Sequence, residues 1–199
     1  MVSEECSRIL QKIRSSSTGQ RLGSIGLLSC DETSTTSGFA SQLAIVAGTK
    51  YGLSTLLIDG DKKLRTVSKM FRLNGAPGLG ELATSEADVD ICVQSSKYEN
   101  LMLMTPQAQA KTLPQLVHPH DVESLLHQLT DEYDLVIIDL PPDESADGNL
   151  SRLVDNVFVV ADSEKSSTVD ATEAINRLRN ADAHVTGLVL QGAGQHNGR

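Results

Sequence analysis

Six continuous apolar runs, separated by segments of helical periodicity, constrain the fold of this chain more than any other feature of its sequence. Strands that are apolar along their whole length are buried on both faces, which is typical of a parallel sheet covered by helices. We therefore predict an α/β domain with a doubly wound, mostly parallel sheet and helices on both faces. The predicted strands lie at about 24–29, 54–59, 100–104, 134–139, 156–161 and 185–190, and the predicted helices at 4–14, 38–50, 118–131 and 166–180.

Acidic residues follow two of the predicted strands. Asp59 and Asp61 come at the end of one apolar run, and Asp139 ends another. Because the carboxyl ends of parallel strands share one edge of the sheet, and ligands bind at that edge, we expect the three carboxylates to lie close together. They are candidate catalytic groups, with Asp61 and Asp139 also candidate Mg²⁺ ligands. The alternative for each is an ordinary turn residue, but their joint occurrence favours a functional origin.

The first strand leads into residues 29–37, which stand where a phosphate-binding loop is expected. Such a loop uses glycines to turn backbone N–H groups inward, a Lys that reaches the β- and γ-phosphates, and a Ser or Thr that ligates Mg²⁺. Counted back from the following helix, Thr33, Thr35 and Thr36 occupy the positions of Gly, Gly and Lys. Ser37 occupies the position of the magnesium ligand.

The altered loop predicts weak nucleotide binding. The helix start around Gly38 still offers free N–H groups to an anion. However, Asp31 and Glu32 repel a triphosphate and can cap those groups instead. A micromolar site is worth roughly 8 kcal/mol and a charge-assisted hydrogen bond about 1.5–3 kcal/mol, so losing the Lys moves affinity toward millimolar. The favoured interpretation is a degenerate site, with ATP or ADP and Mg²⁺ as cofactors only if the site is functional.

Composition excludes several other classes of function. A formal net charge of −9 argues against a general nucleic-acid or anionic-membrane surface. No apolar run approaches the ~20 residues that span a bilayer. The polar, acidic start shows no signal peptide, and three cysteines without metal-type spacing suit a reducing compartment. We therefore expect a cytoplasmic location.

Basic residues and histidines add two weaker candidates. Lys63 follows the first acidic pair and could face a phosphate, although a solvated helix face is the commoner role for such a residue. His118, His120 and His127 have no acidic or Cys partners at ligand spacing, so metal binding by them is not expected.

These motifs resemble the bacterial tyrosine kinases of capsule and exopolysaccharide synthesis (BY-kinases), the P-loop domain of polysaccharide co-polymerases. The resemblance covers about residues 4–193. It implies a P-loop NTPase-like fold of the partitioning-ATPase type, ATP and Mg²⁺ as cofactors, and a membrane-anchored co-polymerase or kinase activator as partner. The family motifs Glu-x-x-Arg-x-x-Arg, Asp-x-Asp-x-Arg and Ile-Ile-Asp-Thr-Pro-Pro correspond here to residues 5–11, 59–63 and 137–142.

The departures from the family pattern are as informative as the matches. Besides the altered loop, Lys63 stands where the family has Arg. The resemblance implies a homo-oligomer, because the family uses the helix with its Glu-x-x-Arg-x-x-Arg motif to build ring-shaped oligomers. Gln11 replaces the last Arg of that helix, which weakens the expectation of a ring. The family's phosphorylated tail is rich in tyrosine, whereas residues 192–199 contain none. Compared with the family, the resemblance therefore implies that a working phosphate loop and a tyrosine-rich phosphoacceptor tail were lost together.

We expect a single α/β domain at 21–194, with a helix and linker at 1–20 and a short tail at 195–199. The leading hypothesis is a pseudokinase that acts as a regulator or partner in exopolysaccharide or capsule synthesis, recruited to the membrane by its partner. The alternative is an active tyrosine autokinase in which Lys50 or Lys63 supplies the missing charge. A partitioning ATPase acting on DNA or membrane is less consistent, because the chain shows neither a basic surface nor an amphipathic membrane tail.

Overall fold

A computed structural model describes residues 2–16, 19, 21–31, 36–61, 65–73, 75–84, 88–106, 119–141 and 150–192. The strands are β1 (Gly23–Ser29), β2 (Thr55–Asp59), β3 (Val93–Ser95), β4 (Leu101–Met104), β5 (Leu135–Asp139), β6 (Asn156–Asp162) and β7 (Val185–Gln191). The helices are α1 (Val2–Ser16), α2 (Thr36–Tyr51), α3 (Thr66–Phe71), α4 (Leu79–Ala83), α5 (Val89–Cys92), α6 (Pro119–Glu132) and α7 (Thr168–Asn180).

The strands form one seven-stranded sheet in the order β3-β4-β2-β5-β1-β6-β7. All neighbouring pairs are parallel except β3 and β4. This architecture confirms the predicted doubly wound, mostly parallel α/β fold, and all six predicted strands are present. Sequence reasoning missed β3, because this edge strand has only three residues, none of them buried, and therefore carries no apolar run.

Two hydrophobic layers cover the sheet, one on each face. In β1, Ile25 and Leu27 belong to the layer that contains α1 and α2, whereas Leu28 belongs to the layer of α6 and α7. Successive strand side chains point to opposite faces, so a strand with both faces covered must be apolar throughout. This is the physical reason that the apolar runs predicted the strands well.

Helix α1 contributes four side chains to the first layer, at the spacing of one helical face. Cys6, Ile9, Leu10 and Ile13 are all buried. Fully burying a side chain of the size of Ile or Leu stabilises the fold by about 1.5–3 kcal/mol. The amphipathic pattern seen in the sequence therefore reflects packing against α2.

Local sequence signals explain where the longer helices begin. Helix α6, predicted at 118–131, begins at Pro119 and has Asp121 in its first turn. Helix α7 begins with a capping box, in which the Ser167 hydroxyl and the Asp170 carboxylate each accept a backbone N–H. The short helices α3, α4 and α5 were not predicted. In the described part of the chain, no helix combines the length and hydrophobicity needed to cross a bilayer.

Candidate functional site

The acidic strand ends lie together at the carboxyl edge of the sheet. Asp59 and Asp139 are the last residues of β2 and β5, and these neighbouring strands pair in a register that sets the two aspartates side by side. Asp61 follows two residues after Asp59, and all three side chains are buried. Buried carboxylates are rare unless they are paired or functional, so this cluster is the candidate site.

The start of α2 closes over Asp139. The hydroxyl of Thr36 donates a hydrogen bond of 2.6 Å to Asp139 Oδ1, and both groups are buried. Ser37, the next residue, is also buried. Asp139 Oδ2 has no hydrogen-bond partner among the described residues. One oxygen of this carboxylate therefore accepts a hydrogen bond from a hydroxyl, and the other is buried without such a partner among the described residues.

Asp59 organises the backbone that follows it. Its carboxylate accepts the N–H of Asp61 at 3.2 Å and the N–H of Ser68, in α3, at 3.3 Å. Between the two aspartates, Gly60 donates its N–H to the backbone oxygen of Asp139 at 2.9 Å. Asp59 therefore has a structural role in positioning the loop and α3, whatever it contributes to chemistry.

Burial favours the protonated forms of Asp59 and Asp139. Burial raises the pKa of Asp59 to about 7, and the charge of Asp139 adds to the effect. Burial also raises the pKa of Asp139 to about 6, although hydrogen bonds from Ser37 and Thr36 act in the opposite direction. The charge of Asp61 further raises the pKa of Asp139, so near neutral pH the cluster takes up a proton readily.

Cys30 and Asp31, at the start of the predicted phosphate loop, contact the end of β6 and the loop that follows it. The Asp31 carboxylate accepts a hydrogen bond from the Ser166 hydroxyl and lies 3.4 Å from the Cys30 sulfur. The Cys30 N–H bonds to the oxygen of Val160 at 3.0 Å. Burial raises the pKa of the Cys30 thiol, which makes it a poor nucleophile. Sequence reasoning had no signal for Ser166, which lies 135 residues away.

Other predicted site residues fall into three groups. Gly38 lies in the first turn of α2, with open space where a Cβ would be. Lys50 lies at the opposite end of that helix, where its ammonium donates to Ser7 at 3.1 Å, so it is not at the loop. Outside the described residues lie Thr33, Thr35, Lys63 and His118.

In the portions that the structure describes, no group of three His, Cys, Asp or Glu side chains could hold a metal ion by itself.

Comparison with known proteins identifies relatives by sequence and by fold. No profile of a known protein family matches the chain. The tyrosine-protein kinase YwqD of Bacillus subtilis is 26% identical over 192 residues, which cover 96% of this chain and 81% of that protein. The kinase domain of the Escherichia coli tyrosine kinase ETK superposes with a TM-score of 0.77 at 20% identity, covering 96% of this chain and 75% of the kinase domain.

The fold extends to nucleotide-binding ATPases. The septum site-determining protein MinD of Pyrococcus horikoshii, solved with Mg-ADP, superposes with a TM-score of 0.65 at 16% identity, covering 87% of this chain and 72% of MinD. At this level of identity the likeness concerns the fold alone. The chain therefore has a P-loop NTPase-like fold.

Proposed function

Because this chain belongs to the bacterial tyrosine kinase family, whose members serve capsule and exopolysaccharide synthesis, we propose that it is a pseudokinase of that family. In this proposal it binds MgATP weakly or not at all. It acts as a regulator or partner of the membrane-anchored co-polymerase or kinase activator of the pathway. The chain retains the family's aspartates at the edge of the sheet. The proposed loss of function therefore concerns phosphate binding by the altered loop.

The hydrogen bond between Thr36 and Asp139 carries the proposal. In the family pattern, the position of Thr36 holds the Lys whose ammonium contacts the β- and γ-phosphates. Here a neutral hydroxyl stands at that position, and it donates its proton to Asp139 Oδ1 at 2.6 Å. The hydroxyl has a single proton to donate, so it has none left for a phosphate oxygen. Each lost charge-assisted hydrogen bond weakens nucleotide binding by about 1.5–3 kcal/mol.

The three aspartates of the site do not decide between the two hypotheses, because the family pattern contains them as well. Asp59, Asp61 and Asp139 place three buried carboxylates at one edge of the sheet. The alternative hypothesis of an active kinase requires Lys50 or Lys63 to compensate. Lys50 lies at the far end of α2, where its ammonium donates a hydrogen bond to Ser7 of α1. Lys63 lies outside the described residues and therefore remains a prediction.

The remaining site residues fit a nucleotide-bound Mg²⁺ better than they fit the nucleotide. The buried Asp139 Oδ2, which has no hydrogen-bond partner among the described residues, and the buried Ser37 hydroxyl are oxygen ligands of the kind that Mg²⁺ prefers. These residues would hold Mg²⁺, which would supply positive charge to neutralise the carboxylates and the phosphates. With no cluster of three ligands among the described residues, the phosphates would have to supply further coordination. Asp61 is the further predicted ligand.

Calorimetric titration of MgATP and MgADP tests the proposal. The natural protein is compared with the variant Thr33→Gly, Thr35→Gly, Thr36→Lys, which restores the family's loop. We expect millimolar or undetectable binding by the natural protein and a gain of roughly a hundredfold or more by the variant. A matched control is Thr172→Lys, which adds one positive charge on the exposed face of α7.

Micromolar binding by the natural protein would overturn the proposal and favour the active autokinase with an atypical loop. ATP-dependent tyrosine phosphorylation by purified protein, abolished by Asp139→Ala, would lead to the same conclusion. An equal increase in nucleotide affinity for the loop variant and for Thr172→Lys would show that net charge, rather than the loop, limits nucleotide binding.

A further inference from the structure

A groove on the α2 side of the sheet lies apart from the aspartate cluster. Its walls come from α2, from the end of α3 and from the turn between β3 and β4, and Leu103 of β4 also lines it. Its volume is about 420 Å³. Ligand-binding clefts commonly measure about 300–1,000 Å³, so the groove is large enough for several side chains of a partner.

The charge of this groove is opposite to that of the protein. Its charged lining residues are Arg72 and Lys97, and no Asp or Glu lines it. The chain as a whole has a formal net charge of −9. Neither cation forms an ion pair within the described part of the chain. Two exposed cations without acidic partners, in an otherwise acidic protein, favour an anionic ligand.

The uncharged lining of the groove includes two aromatic residues and a methionine. Phe71 and Tyr98 meet edge to face, with their ring centroids 6.1 Å apart. The Lys97 ammonium lies 5.2 Å from the centre of the Tyr98 ring, which holds the cation beside the apolar wall. Met70, also on the groove, is 51% exposed. Exposed Met side chains adapt to apolar groups of a partner.

The backbone of Arg72 is held in a costly conformation at this place. Arg72 ends α3 with φ 57°, in the left-handed region where glycine is the usual residue. A charged side chain at such a position is retained against a backbone cost, which is a common feature of functional sites.

An extended peptide suits this groove better than a compact ligand. Ser95, which lines the groove, is the last residue of β3, and β3 is an edge strand of the sheet. The outer side of β3 has no strand partner in the described ranges. Edge strands can pair with an added peptide strand, while neighbouring pockets accept its side chains.

We propose that this groove docks an acidic peptide segment of a partner protein, with aromatic or apolar anchors between its carboxylates. Arg72 and Lys97 pair with the carboxylates, and the anchors pack on Met70 and the Phe71–Tyr98 pair. The net negative charge of the protein disfavours binding of such a peptide at other places on the surface. This docking site is independent of the phosphate loop, so it stands whether or not nucleotide binds.

Fluorescence anisotropy with a labelled peptide of about twelve residues, built from Glu-Glu-Tyr repeats, tests the proposal without nucleotide. The control peptide has Gln-Gln-Tyr repeats. We expect the double variant Arg72→Gln, Lys97→Gln to bind the acidic peptide roughly tenfold or more weakly than the natural protein. The matched control is Arg177→Gln, Arg179→Gln, which removes the same charge from exposed positions of α7 and should change affinity by less than about twofold.

Amide chemical shifts locate the bound peptide. We expect the acidic peptide to shift resonances of residues 41–45, 70–73 and 95–98, and melting curves to show that all variants remain folded. Four results would each overturn the proposal: absence of binding by the natural protein, equal binding of the neutral peptide, equal weakening by the α7 control, or shifts confined to other surfaces. A change of oligomeric state in the Arg72, Lys97 variant, with no loss of peptide binding, would assign the groove to a second copy of the chain instead.

Discussion

Gly60 and Asp139 approach each other so closely that no larger residue fits at position 60. The Gly60 N–H donates to the backbone oxygen of Asp139 at 2.9 Å, and a Cβ built at Gly60 would lie 2.5 Å from that oxygen. The contact joins the loop after β2 to the end of β5. It therefore fixes the separation of the two strand ends that present Asp59 and Asp139.

The first prediction follows from this contact. Gly60→Ala should lower the free energy of unfolding by about 1–3 kcal/mol, because the new methyl group meets backbone that cannot move alone. The measurement is urea denaturation. Gly38→Ala is the control, since nothing lies within 4 Å of its Cβ position and it is in α2. That change should be neutral or stabilising by up to about 1 kcal/mol. Equal destabilisation by both would contradict the contact.

The second prediction concerns the pH dependence of stability in Mg²⁺-free buffer. Asp59 and Asp139 have pKa values of about 7 and about 6 in the folded protein, above the ordinary value. Between the unfolded and folded pKa values the native state binds more protons, so stability is highest at the acidic end of this window and falls as pH rises through it. With ordinary values of 3.8 in the unfolded chain, these shifts correspond to a loss of up to about 5 kcal/mol from pH ~4.5 to ~7.5.

Asp139→Asn should reduce that decline and make the variant more stable than the natural protein above pH ~7, because no charge is then buried there. Asp131→Asn is the control, since its carboxylate is 83% exposed and pairs with Arg21 on the surface. Stability measured by chemical denaturation at several pH values checks both. A natural protein whose stability rises across the same pH range would refute the assignment.

The third prediction tests the Thr36 hydroxyl. Thr36→Val keeps the shape of the side chain but removes the donor to Asp139 Oδ1, which leaves a buried acceptor unsatisfied. The expected loss of unfolding free energy is about 1–3 kcal/mol above pH ~7, and it should be smaller at low pH, where the carboxyl is protonated. Thr55→Val, which removes a neutral bond of 2.9 Å to the Leu53 oxygen, should cost about 0.5–1.5 kcal/mol without this pH dependence. A pH-independent cost at Thr36 would show that Asp139 is not its charged partner.

The fourth prediction separates stability from docking. Arg72→Gly relieves the left-handed backbone at φ 57° and should raise the free energy of unfolding by roughly 0.5–1 kcal/mol, while weakening binding of the acidic peptide. Arg65→Gly is the contrast. Arg65 also has a positive φ of 49°, but its Nε donates to the Pro106 oxygen at 3.0 Å, so glycine there loses a bond as well as strain. Thermal melts and anisotropy distinguish the outcomes, and a destabilised Arg72→Gly would contradict the strain argument.

Local sequence patterns were sufficient to predict six of the strands and the four long helices. The apolar runs located β1, β2, β4, β5, β6 and β7 because a strand covered on both faces has no polar positions. Helical periodicity located α1, α2, α6 and α7. The spacing from the start of α2 also predicts that Thr36 occupies the family's Lys position, which stays a prediction. Whether Thr33, Thr35 and Lys63 take part in binding stays a prediction, as they lie outside the described residues.

The elements that sequence reasoning missed have no such pattern. The strand β3 is short and partly exposed, and α3, α4 and α5 have six residues or fewer. Short helices are marginal in isolation, so tertiary packing rather than local propensity determines them. The groove is built partly from these elements, and for that reason nothing in the sequence indicated it.

The sequence by itself determined the class of fold and the positions of the acidic strand ends, and it predicts that Thr36 stands at the position of the phosphate-binding Lys. Tertiary structure alone decided which of these groups touch. Thr36 and Asp139 are 103 residues apart, and Asp31 and Ser166 are 135 apart, yet each pair is hydrogen bonded. These contacts depend on the order and register of strands in the sheet. Periodicity reports which face of an element is buried, but it carries no information on which element lies next to it.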